Sequence, residues 1–125
     1  MIINDESLKQ SILNALSDEC SVQILIATTE EPLSAVELSK YCEIPVAKIY
    51  YRIAELVDAG LLAVVKYGRT FDGKWYELYR SVIVLIEVSL DGVGIRMNVE
   101  LNHRLSDKFT RVWTSVPQTV QTMLP

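Results

Sequence analysis

The sequence predicts an α+β fold, with helices first and β-hairpins after, from three observations. Apolar residues recur at helical spacing through roughly the first sixty positions. Beyond Gly60 the pattern changes to strand-like runs flanking two Asp-Gly pairs, Asp72-Gly73 and Asp91-Gly92. A last helical stripe follows Asn102. At 125 residues, half of them apolar and 22% charged, the chain is sized and composed as one compact domain with its own core.

The elements follow in order. Leu8, Ile12, Leu13 and Leu16 define a first helix from Glu6 to Leu16. Ser17-Asp18 reads as a junction, and Asp18 caps a second helix carrying Val22, Leu25 and Ile26. Glu30-Glu31-Pro32 ends it, because the residue before proline is driven out of the helical region. Ser34-Ala35-Val36-Glu37 has the S-x-x-E form of a capping box and opens a short helix with Val36, Leu38 and Tyr41 as apolar positions. A break at Glu43-Ile44-Pro45 precedes a helix to about Ala59, with Ile49, Ile53, Leu56 and Val57 as its core stripe and Gly60 as its αL terminator. Two short helices joined by a tight break are the helix-turn-helix signature.

Leu61 to Tyr67 and Trp75 to Arg80 read as the strands of one hairpin, whose tip carries Arg69, Thr70 and Lys74. Val82 to Leu90 and Val93 to Leu101 form a second. A two-residue turn at Asp91-Gly92 pairs Leu90 with Val93, Val88 with Ile95, Ile86 with Met97, Val84 with Val99, and Val82 with Leu101. That face is wholly apolar, whereas Arg96, Asn98 and Glu100 mark the other as wet. Asn102 caps a helix from His103 to about Val116, with Leu105, Phe109, Val112, Trp113 and Val116 in one stripe. Residues 1–80 and 81–125 thus divide into an N-terminal helical and hairpin region and a ββα extension within the same domain.

The chemistry excludes as much as it suggests. No nucleophile elbow, phosphate-binding glycine loop, HExxH or paired metal spacing occurs, and His103 is the single histidine, so neither an enzyme nor a metal or cofactor site is expected. The longest apolar run, Val82 to Ile86, is too short to span a bilayer. Without a secretory leader, Cys20 and Cys42 read as reduced packing residues of a cytoplasmic protein. The net charge of −4 argues against a nucleic-acid partner, but its distribution softens that. Residues 1–29 hold four acids and one base. Residues 48–80 hold Lys48, Arg52, Lys66, Arg69, Lys74 and Arg80 against Glu55, Asp58, Asp72 and Glu77.

The block from Pro32 to Arg80 resembles the winged helix-turn-helix regulators of the ArsR-like type common in archaea. Leu38-Ser39, the run Ile44 to Ile53, Leu56-Val57-Asp58-Ala59-Gly60-Leu61-Leu62 and the strand Gly73 to Arg80 carry the resemblance. It departs at Glu43, where a glycine is common, and it lacks the cysteine pair of metal-sensing members. The resemblance implies a recognition helix in the major groove of double-stranded DNA and a wing along the backbone. The outward positions Ala47, Lys48, Tyr51 and Arg52, with Arg69, Thr70 and Lys74 on the wing, then become the expected DNA contacts, Arg52 forking onto guanine or phosphate. Single winged helices offer few contacts, so a homodimer through Leu105, Phe109, Val112 and Trp113 is expected, with room for a small-molecule effector. The alternative is a winged helix used as a protein-interaction module. The aromatic run Tyr50, Tyr67, Trp75, Tyr76 and Tyr79 suits wing and core packing more readily than a stacking platform.

Overall fold

The computed structural model describes residues 1–105. Nine elements follow in order: β1 (Ile2–Ile3), α1 (Glu6–Leu16), α2 (Glu19–Ala27), α3 (Ala35–Cys42), α4 (Val46–Asp58), β2 (Leu62–Arg69), β3 (Trp75–Ser81), β4 (Ile83–Leu90) and β5 (Ile95–Leu101). Four helices precede two antiparallel sheets, β2-β3 and β1-β5-β4. This is the α+β winged helix-turn-helix architecture with a second hairpin appended. Of the helix expected from His103, residues 103–105 form a turn instead, and the rest, with Phe109, Val112 and Trp113, lies outside the described residues.

Side-chain caps open α1, α2 and α3, whereas α4 starts after Pro45 without one. Asp5 accepts from Ser7 N, and Asp18 from Ser21 N. Ser34 and Glu37 close the capping box reciprocally, at 3.1 and 2.9 Å. These bonds satisfy N–H groups that a helix start leaves orphaned. The tight break is achieved by Glu43 itself, which takes the left-handed conformation at φ 57°. Ile44 N donates to Ser39 O, and the Ser39 hydroxyl donates to Ile44 O, so the turn holds without glycine. Gly60, at φ 80°, ends α4 as expected.

One core gathers Ile12, Ile24, Leu38, Ile49, Ile53 and Leu56 from the helices, Leu61 from the start of the wing, and Ile3, Met97 and Val99 from the second sheet. Two apolar stripes are narrower than expected. On α3 the buried positions are Ala35 and Leu38, while Val36 and Tyr41 face out. On α4, Val57 lies at the stripe's edge and is exposed, because Ile49, Ile53 and Leu56 already fill the contact.

Both hairpin turns are longer than two residues. Arg69 pairs with Trp75 across a five-residue tip, in which Gly73 N donates to Thr70 O and Thr70 N to Lys74 O. In the second hairpin Leu90 pairs with Ile95, not Val93. The Asp91 carboxylate accepts from Val93 N and Gly94 N, which recruits both residues into the turn. The register therefore shifts by two from Leu90 to Leu85, giving Val88↔Met97 and Ile86↔Val99. A two-residue slip keeps the side chains from Ile86 to Leu90 on their expected faces, whereas at the far end Ile83 is buried and Val84, expected on the apolar face, is exposed. A bulge between Ile83 and Leu85 absorbs the difference at the far end. The strand β1 had no sequence signal. It pairs Ile2 with Asn98 and Ile3 with Met97.

The two sheets meet at the C-terminal end of α2. The turn that follows α2, from Thr28 to Glu30, carries carbonyls that the helix does not use. Arg80 donates to Thr29 O and Glu30 O, and Asn102 donates from Nδ2 to Thr29 O and Ser81 O, each at 3.0 Å. Asn102 is fully buried, and its Oδ1 accepts from Arg104 N. Ser81 N donates to Thr28 O, which ties the wing's last residue to the same spot.

Candidate nucleic-acid interface

Helix α4 presents a continuous outer face because only one in three or four of its residues turns inward. Val46, Ala47, Lys48, Tyr50, Tyr51 and Ala54 are exposed, and Tyr51 is 62% accessible. The packing of α3 against α4, fixed by the Glu43 turn, leaves that face free. Of the expected contacts, Ala47, Lys48 and Tyr51 lie on it together.

Arg52 is placed differently. Its guanidinium bonds Asp18 at 3.2 Å and Glu55 at 2.8 Å, and only 26% of its side chain is accessible. It therefore bridges α4 to the start of α2, with its charge already matched. Hydrogen bonding to Glu55, with the charges of Asp18 and Glu55, holds its pKa above the ordinary arginine value. Asp18 is held below the usual carboxylate range, chiefly by the Ser21 backbone N–H it caps, with smaller help from Arg52 and Lys48. Sequence periodicity could not find this pairing, since Asp18 and Arg52 sit on separate helices.

The wing projects beyond the helices. Its base is held by a bridge between Leu33 and Tyr79, with two backbone bonds of 3.0 and 2.9 Å that add the segment before α3 to the edge of β3. At the tip, Arg69 stacks on the Trp75 ring, its guanidinium carbon 4.9 Å from the centroid, and Nε donates to Gly73 O. The Thr70 hydroxyl donates to Asp72 and accepts from Lys74 N, so it builds the turn. Lys74 is exposed. Arg80 turns away from Glu77 to the end of α2, as described above.

Between the wing and the α3–α4 pair lies a groove of about 790 Å³. Tyr50 from α4 and Tyr67, Trp75, Tyr76 and Tyr79 from the wing line it, so helix and wing border one surface. The aromatic run noted in the sequence is thus a groove wall as well as packing, with Tyr79 alone fully inside the core. Burial, with Glu77 beside it, pushes the Tyr79 phenol up to about 12. Cys20 and Cys42 are free thiols, and burial raises both, which keeps them protonated near neutral pH. Among the described residues no cluster of three metal-ligating side chains occurs, and no helix is long and apolar enough to cross a membrane.

Residues 11–65 match the sequence pattern of the helix-turn-helix domain family. The match runs from within α1, through the α3–turn–α4 unit, into β2, and so covers the elements that present the exposed α4 face. No curated protein matches the chain.

Proposed function

We propose that the protein is a DNA-binding transcription regulator of the winged helix-turn-helix kind, with α4 in the major groove and the wing on the backbone. The observation that carries this reading is the shared surface: the exposed α4 face and the wing flank one groove. Lys48 and Tyr51 contact phosphate or base edges, Ala47 allows close approach, and Arg69 and Lys74 reach the backbone from the wing tip. Arg52 contributes by holding α4 on α2, and Thr70 by shaping the tip. The resemblance to ArsR-like regulators supports the same assignment.

The reading includes a homodimer acting in the cytoplasm, without enzymatic activity or a resident cofactor. Self-association is supported by β4, an outer strand of its sheet that exposes Val88 and Leu90, with Val93 exposed at the hairpin turn. Leu105 is buried within its own chain, so it serves packing first. Selection of bound duplex from a random pool, then anisotropy titration at low and moderate salt, tests the reading. Binding that weakens with salt, and weakens further in Lys48→Ala with Lys74→Ala, is expected. No binding at low salt would leave the protein-interaction alternative, which the net charge of −4 favours. Sedimentation at micromolar concentration tests the dimer.

A further inference from the structure

The groove between the wing and α4 is oddly built for a phosphate backbone. Its walls are aromatic, and its two charged members, Glu37 and Glu77, are both acids. No lysine or arginine is among its described lining residues. Alternation along β3 sends Trp75, Glu77 and Tyr79 to one side, with Tyr67 directly across from Glu77. Glu77 is exposed and, among the described residues, its carboxylate is engaged only by the Tyr79 hydroxyl, at 3.4 Å. Glu37 holds the Ser34 N–H through one carboxylate oxygen.

One member of the aromatic wall packs tightly over the neighbouring strand. Gly68 faces Tyr76 across the strands, and a Cβ on Gly68 would stand 2.2 Å from the tyrosine ring. The glycine is what lets that ring lie flat against β2. Trp75 already accepts a cation, the Arg69 guanidinium. Aromatic rings in a ring-shaped wall attract cations through their negative faces, and adjacent carboxylates add direct charge attraction. Anionic ligands meet the opposite field.

We propose that this groove binds a bulky aromatic or quaternary organic cation, and that such a cation opposes DNA binding by occupying the space between recognition helix and wing. The first half stands on the groove alone; the second rests on the DNA-binding reading above. The groove's contents then gate the regulator, since helix and wing cannot both close on a duplex around a wedged ligand.

Calorimetric titration of the full chain with tetraphenylphosphonium, against neutral triphenylphosphine oxide, tests the site. The cation should bind at least about tenfold more tightly than the neutral compound. Glu37→Gln with Glu77→Gln should cost about tenfold in cation affinity, since glutamine preserves the capping box and hence the fold. Trp75→Ala should cost as much, with thermal melting confirming that each variant folds. Equal affinity for both compounds, affinity unchanged in the variants, or no binding at millimolar cation overturns the proposal. A second arm adds the cation to protein bound to labelled duplex, where release is expected. If the cation binds but no duplex does at any salt, the site stands and the DNA reading falls. If duplex binds and the cation neither binds nor displaces it, the site falls alone.

Discussion

The two hairpins read almost alike in the sequence and behave differently in the fold. Each places an Asp-Gly pair between apolar runs. The wing, β2-β3, is a two-stranded ribbon whose outer part projects beyond the helices, with Tyr67, Trp75 and Tyr76 exposed. The second hairpin, β4-β5, gains β1 as a third strand and buries Met97 and Val99 in the core. An isolated two-stranded ribbon is marginal in water. The wing survives because Leu33, Arg80 and Ser81 fasten its base, which leaves its outer part free to meet a ligand. On the proposed function, structural work and binding work are divided between two hairpins of one kind.

Breaking the shared anchor should have the largest effect. Asn102→Ala takes the side-chain donor from the buried Ser81 carbonyl and one of two donors from Thr29 O, and should cost about 3 kcal/mol and lower the melting temperature by roughly 10 °C. Both hairpins should loosen together in hydrogen exchange. Loosening of β4-β5 alone would show that the wing is anchored independently.

Alkaline pH should strike next, and at the wing's base. Burial raises the Tyr79 phenol from 10.0 to about 12. Its contribution is complete below pH 10 and lost as pH climbs toward 12, up to about 2 kcal/mol. Denaturant melts of wild type and Tyr79→Phe across that window check it. The loss should be blunted in the variant.

Gly68→Ala should change stability by no more than about 0.5 kcal/mol, because the Tyr76 ring can swing aside. Cation affinity should nevertheless fall, separating the wing's binding role from its folding role. An unchanged affinity would mean that the Tyr76 wall is dispensable.

The smallest effect belongs to the exposed turn of the second hairpin. The Val93 and Gly94 N–H groups hold the Asp91 carboxyl below its ordinary range. That stabilisation is present above about pH 4 and lost as pH falls through the lowered value. Acid should therefore speed amide exchange at Val93 and Gly94 without disturbing the wing, and Asp91→Ala should abolish this response.

Much of this fold was legible because its signals are local. Asp18, Ser34 and Glu37 cap helices within three residues of their partners, and Gly60 ends α4 at the next turn. The α4 face carrying Ala47, Lys48 and Tyr51 followed from periodicity alone. The hairpin lengths were misjudged because the Asp-Gly rule ignores side chains that extend a turn. Asp91 captures two further N–H groups, and the Thr70 hydroxyl organises a five-residue tip. Arg52 looked like a base-reading residue because its counter-charge, Asp18, lies on another helix.

By itself, then, the sequence determined which segments are helical, where they stop, and which faces are apolar, since those depend on contacts a few residues apart. Tertiary structure alone decided the rest. It joined Met1 to Asn98 and Asn102 to Thr29 across 97 and 73 residues. It neutralised Arg52, and it curled the wing beside α4 to enclose an acidic, aromatic groove. These depend on which orphaned donors and acceptors meet once the core has closed, and no local pattern encodes that meeting.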